Sequence, residues 1–383
     1  MQTPLERELT EARRQTDELL QIVRPDSLYE RPIPERHRIV FYLGHLEAFD
    51  WNLMARYALD LPSFHPSFDQ LFAFGIDPEQ GRLPSDSPSD WPRLQEVQRY
   101  NQQTREVIDE SLPNVPVEMM HAAIEHRLMH AETLAYILHQ LPYEAKAGPV
   151  QPKIADGAAP EPRPIEIPEG VAELGRRRNG GFGWDNEYEL VAEKVPAFAI
   201  DRYKVTNAEY LDFLREGGQP PFFWTQREGR WFYRGMFEEL PLPLDRPAYV
   251  NKCQAEEYAR WRGGTLPTEA QFHRAAALSA PSVNSNFRYW DPIPVTADDT
   301  PEDAPAQMTG NGWEWTSTVF GPFPGFEPQP YYTNYSAPFF DGAHFVLKGG
   351  SPRTAARLLR PSFRNWFRPS YPYIYATFRL VRS

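Results

Sequence analysis

The chain changes character at a segment rich in proline, alanine and glycine, residues 143–169. Before this segment, apolar residues recur at helical spacing over four stretches, which predicts a bundle of four helices. After it, short apolar or aromatic runs alternate with Gly, Pro, Asn and Asp, which is typical of short strands joined by coil. The pattern predicts an α+β chain with a helical domain at 1–142, a linker at 143–169 and a second domain at 170–383.

The first helix is expected to begin at Thr3-Pro4, because a capping hydroxyl is followed by a proline at a position where no N–H is needed. The other three are expected at about 34–59, from about residue 90, and at about 117–141. A long loop separates the second from the third, and loops of this length in compact domains are often functional. In the second domain, helices are expected only at 254–261 and 268–278.

Charge and composition exclude several classes of partner. The net charge is −12, which disfavours nucleic acid or an anionic membrane, since both require a basic face. Cys253 is the one cysteine, so no internal disulfide can form, as in proteins of reducing compartments. The polar start of the chain does not resemble a secretory signal, and no apolar run approaches the roughly 18 residues of a membrane helix. We therefore expect a soluble, cytoplasmic protein.

Seven of the nine histidines precede residue 140. His126 and His130 are spaced i, i+4 on the predicted fourth helix, so they share one face and can bind one metal ion. An antiparallel packing of the second helix could bring His45 opposite this pair. Three neutral imidazoles suit Fe, Zn, Cu or Ni and leave coordination positions open for catalysis. The spacing does not choose the metal, and paired histidines are also common as core or solvated residues.

Two further residues of the fourth helix could lie near the proposed metal site. Glu132 lies two residues after His130 and could orient a ligand histidine through a hydrogen bond, or could be a solvated helix residue. His121 lies five residues before His126, which rotates it off the shared face, so we expect it to be structural. The zinc-protease pattern HExxH is absent, because position 127 is Arg.

Five segments of the second domain resemble the formylglycine-generating-enzyme-like (C-type-lectin-related) fold. They are VTNAEYLDFL (205–214), GGTLPTEAQFHRAA (263–276), GNGWEWTSTVF (310–320), VLKGGS (346–351) and ATFRLVR (376–382). Formylglycine generation in that family uses a pair of active-site cysteines. This chain has only Cys253, so we do not expect that activity, and the fold alone does not define another.

With a DinB-like helical domain placed before this fold, the whole chain resembles the ergothioneine-type sulfoxide synthases and the related selenoneine synthases. In that family an HxxxHxE motif and one earlier histidine bind Fe(II). The resemblance implies that His45, His126 and His130 bind iron, with Glu132 beside them. It also implies an O2-dependent reaction that joins C2 of the hercynine imidazole to sulfur or selenium.

The resemblance also implies substrate residues in the second domain. Asn365 and Trp366 correspond to the residues expected to hold the betaine end of hercynine, since an indole face suits a quaternary ammonium and an amide can donate to a carboxylate. Phe367 is expected to line the pocket for the sulfur or selenium donor. A tyrosine of the family segment is expected to donate a proton, and Tyr331, Tyr332 and Tyr335 are the candidates, with Tyr331 and Tyr332 preferred.

Departures from the family pattern bear on the donor. Asn101 stands where an arginine is expected, and Phe367 stands where an aspartate is expected. The segment LFAFGIDPEQG, residues 71–81, replaces an Asn-Ser-Tyr-Tyr-like stretch. Loss of an arginine removes a bidentate carboxylate clamp. The departures disfavour gamma-glutamylcysteine and favour a selenosugar or thiosugar, with free cysteine still open.

Two functions of other classes fit the same residues less completely. One is a zinc-dependent hydrolase or transferase that uses the same three histidines and requires no O2. The other is a non-catalytic binding protein, because the C-terminal fold also occurs in carbohydrate- and receptor-binding proteins. The second alternative leaves the three histidines without an explanation.

Overall fold

The computed structural model describes residues 2–73, 83–148, 154–280, 284–297 and 300–382. The chain forms two compact units, Met1–Pro149 and Val150–Ser383. Among the described residues, no helix is both long enough and apolar enough to cross a membrane. The domain and linker bounds expected from the sequence stay a prediction.

The first unit is helical. Its helices are α1 (Pro4–Gln21), α2 (Ile39–Asp50), α3 (Pro66–Leu71), α4 (Leu94–Ser111) and α5 (Val117–His139), and α2 continues as a π-helical segment, Trp51–Ala58. The four expected long helices are confirmed. Helix α1 packs on α5, and α2 packs on both α4 and α5. At the start of α1, the Thr3 hydroxyl accepts a hydrogen bond from the Glu6 N–H, and the Glu6 carboxylate accepts one from the Thr3 N–H, as a capping box requires.

The second long helix begins at Ile39, five residues later than its expected start at residue 34. The backbone of Arg38 is extended. Its guanidinium donates to the Asp86 carboxylate at 3.0 Å and to the Tyr29 carbonyl at 2.7 Å. These long-range contacts hold residue 38 outside the helix, and sequence periodicity does not report them. Helix α3 was not expected either, because six residues are too few for a periodic pattern.

In its described residues, the second unit combines small sheets with three helices. Its strands are β1 (Pro164–Ile167), β2 (Gly170–Leu174), β3 (Val191–Val195), β4 (Phe198–Asp201), β5 (Trp224–Arg227), β6 (Arg230–Arg234), β7 (Glu239–Pro241), β8 (Trp313–Val319), β9 (Phe345–Lys348), β10 (Asn365–Phe367), β11 (Ala376–Thr377) and β12 (Val381–Arg382). The sheet orders are β1-β4-β12, β10-β9-β8-β11, β2-β3 and β5-β6-β7. Strand β1 lies within the segment expected to be a linker.

The helices of this unit are α6 (Asn207–Arg215), α7 (Lys252–Trp261) and α8 (Glu269–Ala276). The expectation of only two helices here is wrong, because α6 was missed. The available signal was its capping box, in which Thr206 and Glu209 bond to each other's backbone N–H groups. The helix is short, and it is fixed in place by the Asn207 side chain, which donates to the Pro243 carbonyl at 2.7 Å.

A buried ion cluster lies at the centre of the second unit. Glu314 of β8 is fully buried and accepts hydrogen bonds from Lys204 Nζ at 2.7 Å and from Arg379 Nε at 2.7 Å. Trp315, the next residue, is also fully buried. Removal of one member of such a buried pair leaves an uncompensated charge. The Trp-Glu-Trp segment therefore has a structural role in the core of this unit.

Candidate functional site

Three histidines of the first unit converge in its interior. His45 is on α2, and His126 and His130 are one turn apart on α5. All three are 2–3% exposed. The Nε2 atoms of His45 and His130 lie 3.2 Å apart, and one ring nitrogen from each of the three lies within 4.8 Å of the others. The predicted set is thus brought together, and its chemistry fits a divalent transition metal with open coordination positions.

The orientation of His45 is defined by its neighbours. Its Nδ1 lies 2.6 Å from the carbonyl oxygen of Phe72. A carbonyl can only accept, so Nδ1 carries the proton and Nε2 keeps a lone pair for a metal. The ring of Phe41 stacks on His45 with centroids 4.9 Å apart, and the ring of Phe49 stacks on His126 at 3.4 Å. These aromatic rings fix the imidazole planes and keep water from them.

Burial makes all three imidazoles neutral at physiological pH. It lowers the pKa of His45 to about 4, although the hydrogen bond to Phe72 opposes this change. Burial also lowers the pKa values of His126 and His130 well below the ordinary range, and the neighbouring histidines add to the effect. Metal ligation requires an unprotonated ring nitrogen. The cluster therefore does not have to lose protons before it can bind a metal ion.

These pKa shifts predict a pH-dependent stability of the metal-free protein. The pKa of His45 is about 4 when folded and returns to the ordinary 6.5 on unfolding, so the unfolded chain binds the proton more readily. The free energy of unfolding should be greatest above about pH 6.5. It should fall as the pH drops toward 4, by up to about 1.4 kcal/mol per pH unit from this group. Urea unfolding of chelator-treated protein at pH 7 and pH 5.5 would measure the slope. A His45→Gln variant with an unchanged slope would contradict the expectation.

A fully buried arginine ties the two ligand helices together. Arg127, adjacent to His126, donates to both carboxylate oxygens of Glu47 at 3.0 Å and to Asp50 Oδ2 at 2.6 Å. Arg105 of α4 also donates to Glu47, at 2.6 and 3.0 Å. Although burial opposes its ionisation, the two arginines lower the pKa of Glu47 to about 2. Charged groups thus join α2, α4 and α5 within two residues of His45 and His126.

The sequence pattern does not reveal this ion network. Arg127 was noted only because it breaks the HExxH pattern, and Glu47 was not singled out. The available signal was that these charged residues lie on helices whose other positions are mostly apolar. Glu132 is 9% exposed, so it is not a solvated helix residue, and its role beside the ligands stays a prediction.

In the second unit, the residues expected at hercynine lie on strand β10. The indole of Trp366 stacks on the ring of Phe320, with centroids 4.3 Å apart and planes at 6°. The Asn365 side-chain oxygen accepts a hydrogen bond from the Trp366 N–H at 2.9 Å. Phe367 stacks on Tyr371 at 5.2 Å. Phe320 therefore covers one face of the indole, and the rings of Tyr335 and Phe339 also contact Trp366, with centroids 5.3 and 5.5 Å away.

The remaining expected residues fall in both units. Tyr331 and Tyr332 are half-buried, and burial raises the pKa of Tyr332 to about 12, with the Asp185 carboxylate contributing. In the first unit, the Asn101 amide of α4 donates to the Leu43 carbonyl of α2 at 2.8 Å. The substrate roles of these residues stay predictions. Residues 74–81 of the segment 71–81, which departs from the family pattern, lie outside the described residues.

Comparisons with known proteins cover both units. A model of the DinB superfamily matches residues 8–144, and a model of the sulfatase-modifying factor enzyme 1-like domain matches residues 151–383. The hercynine oxygenase of Mycolicibacterium thermoresistibile is 32% identical to the chain, over 82% of the chain and 80% of that protein. The chain belongs to the ergothioneine-type sulfoxide synthase family. The expected fold, a DinB-like bundle before a formylglycine-generating-enzyme-like domain, is thereby confirmed.

Other members of this family match less of their own length. The hercynine oxygenase of Mycobacterium tuberculosis is 37% identical over 51% of the chain and 55% of that protein. Ergothioneine biosynthesis protein 1 of Schizosaccharomyces pombe is 27% identical over 94% of the chain and 54% of that protein. The chain therefore spans about half the length of this relative.

Proposed function

We propose that this chain is a non-heme Fe(II) enzyme that uses O2 to join C2 of the hercynine imidazole to sulfur or selenium. The observation that carries the proposal is the cluster of His45, His126 and His130, buried, neutral and within 4.8 Å of one another. Relatives that bear the name hercynine oxygenase support the substrate.

The three histidines would hold the iron, which would supply the redox chemistry with O2 when bound. The protein's own contribution is to hold the ligands and to exclude side reactions. The Phe72 carbonyl keeps the proton of His45 on Nδ1, and the stacked rings of Phe41 and Phe49 shield the imidazoles from water. The Arg127–Glu47 pair holds the helices that carry the ligands.

Asn365 and Trp366 are proposed to bind the betaine end of hercynine. The half-buried indole of Trp366 would contact the trimethylammonium group, a recognised use of aromatic rings. The Asn365 amide would donate to the carboxylate. Stacking on Phe320 limits rotation of the indole, so the face that a ligand meets is held in place.

A tyrosine is proposed as the proton donor, either Tyr331 or Tyr332. A donor must stay protonated until the reaction requires its proton. The raised pKa of Tyr332, about 12, satisfies this condition at neutral pH. Single replacements of Tyr331 and Tyr332 by phenylalanine would remove only the hydroxyl and would separate the two candidates.

We propose a selenosugar or thiosugar as the donor of selenium or sulfur, because Asn101 and Phe367 supply no charge for an amino-acid donor. A second candidate is free cysteine in an ergothioneine-type sulfoxide synthase. The relatives' names, ergothioneine biosynthesis protein 1 and hercynine oxygenase, favour the ergothioneine type and name no donor. Both candidates use the same iron site and the same hercynine.

Aerobic incubation with Fe(II), hercynine and four donors tests the function. The donors are cysteine, gamma-glutamylcysteine, a thiosugar and a selenosugar, and mass spectrometry would detect the coupled product. Anaerobic incubation should give no product. Turnover of another substrate without O2, with zinc at the same histidines, would support the hydrolase or transferase alternative. Purified protein that binds no iron would support a non-catalytic binding protein.

Cys253→Ser is expected to retain full activity, because no step of the proposed reaction uses a protein thiol. Cys253 is exposed and lies on the first turn of α7, so the substitution should also leave folding unchanged. The coupled product would be measured for both proteins at the same iron loading. A folded Cys253→Ser variant without activity would point instead to cysteine chemistry of the formylglycine-generating type.

A further inference from the structure

Phe72 connects a metal ligand to a tightly packed glycine. The residue follows α3 directly and is fully buried. Its carbonyl oxygen lies 2.6 Å from His45 Nδ1. Its ring lies against Gly44, the residue before His45, where an added Cβ would be 2.6 Å from ring atoms of Phe72. The ring thus occupies the space that any larger residue at position 44 would need.

Helix propensity does not explain Gly44. The residue lies inside α2, and glycine in a helix interior is less favourable than alanine. Its φ is not among the positive values of the described glycines, so the backbone does not require glycine either. Close approach of the Phe72 ring is the remaining reason for its presence.

The helix that ends at Phe72 is fastened by a buried carboxylate. Asp69 of α3 accepts hydrogen bonds from three side chains: Tyr100 Oη at 2.8 Å, Trp51 Nε1 at 3.0 Å and Ser63 Oγ at 2.5 Å. A helix of six residues is not stable by itself. Two contacts therefore set the position of the Phe72 carbonyl. One is the set of hydrogen bonds to Asp69, and the other is the packing of the Phe72 ring against Gly44.

We propose that Gly44 and Phe72 are positioning residues for the metal centre, on the basis of the metal site proposed above. The ring seated on Gly44 holds the Phe72 carbonyl against Nδ1, and the carbonyl fixes both the rotation and the tautomer of the His45 ring. Nε2 then faces the other two ligands, 3.2 Å from Nε2 of His130. Loss of a hydrogen bond of this kind typically weakens metal binding by about 10- to 100-fold.

Substitutions at Gly44 and Phe72 test whether their packing controls the metal site. Gly44→Ala and Phe72→Ala should each weaken binding of Co(II), followed by its visible absorption, by about 10- to 100-fold. In the double variant the methyl group occupies the space that the ring leaves. Gly44→Ala should therefore cost little more than twofold in a Phe72→Ala background. Fully additive losses would overturn the proposal, since additivity is the behaviour of sites that act independently.

Phe68→Ala is the matched control. Phe68 lies on the same short helix, and its ring packs on Tyr100 and Phe72, but its carbonyl accepts from the Phe72 N–H rather than from His45. The affinity of the Phe68→Ala variant for Co(II) should stay within about threefold of that of the unmodified protein. This is far less than the loss expected when a residue that orients a ligand is replaced. A loss as large as that of Phe72→Ala would show that the packing of α3 as a whole, and not the Phe72 carbonyl, determines the metal affinity.

A second measurement needs no variant that could fail to fold. Nitrogen-15 NMR of histidine-labelled, metal-free protein should show His45 with its proton on Nδ1 and Nε2 unprotonated. A proton on Nε2 would overturn the positioning role. Failure of the unmodified protein to bind Co(II), or binding unchanged by His45→Ala, would instead reject the proposed metal site, so the two failures are distinguishable.

Discussion

Single replacement of His45, His126 or His130 by alanine is expected to abolish formation of the coupled product and to remove most of the bound iron. Each supplies one of three nitrogens from a cluster whose members lie within 4.8 Å. Two remaining neutral nitrogens would leave a site of lower affinity. Because the imidazoles are buried, a water molecule can replace a missing ligand only by occupying the cavity that the removed side chain leaves. Iron content by elemental analysis and product by mass spectrometry would be measured on the same preparations.

His121→Ala is the matched control for this experiment. His121 lies on the same helix as His126 and His130 and is half-buried, but its ring nitrogens are outside the cluster. The variant should keep its iron and its activity, and the same is expected of His139→Ala. Helical circular dichroism of every variant would separate loss of the metal from loss of the fold. A His45→Ala variant with full iron and full activity would show that the three-histidine assignment is wrong.

Much of this site could be predicted from the sequence because its main signal is local. The i, i+4 spacing of His126 and His130 places both rings on one face of any helix. Nothing local relates His45 to a helix about 80 residues away. It was a candidate because an antiparallel second helix could bring it opposite the pair, and the family resemblance then assigned it as a ligand. The structure then supplies the packing of α2 on α5 that brings the rings together.

The groups that hold the ligands could not be predicted in the same way. The Phe72 carbonyl is a backbone atom, and any residue type offers one. Its position depends on α3, a helix too short to leave a periodic pattern. The Arg127–Glu47 pair joins residues 80 positions apart, and a charged residue in a helix is usually taken as exposed. Residue spacing therefore does not predict features that depend on long-range contacts.

Gamma-glutamylcysteine is expected to be a poor donor, by about 100-fold or more in kcat/KM relative to the preferred donor. It carries two carboxylates and an ammonium group, and each buried charge requires a partner or costs several kcal/mol. Asn101 and Phe367 supply no charge at the two positions where relatives are expected to supply it. A 100-fold loss corresponds to roughly 3 kcal/mol of transition-state stabilisation. A neutral sugar donor avoids this cost, and cysteine should fall between the two.

The surroundings of Asn101 strengthen the expectation. Its amide donates to the Leu43 carbonyl. Asn101 lines a surface cleft of about 340 Å³ together with Arg105. The Arg105 guanidinium donates to both oxygens of Asp17 at 2.7 Å and also to Glu47. A substrate carboxylate would have to displace these carboxylates, so Arg105 does not replace the missing clamp.

Competition between donors in one reaction vessel would measure the preference directly. Phe367→Asp should weaken use of a selenosugar, because it replaces an aromatic face that stacks on Tyr371, and should improve use of cysteine by supplying a partner for its ammonium group. Phe367→Leu is the control, since it removes the aromatic ring without adding charge: it should weaken sugar use but leave cysteine use low. If the unmodified protein prefers gamma-glutamylcysteine, the charges come from other residues, and Arg99, Arg353 and Arg357 are the candidates to replace next.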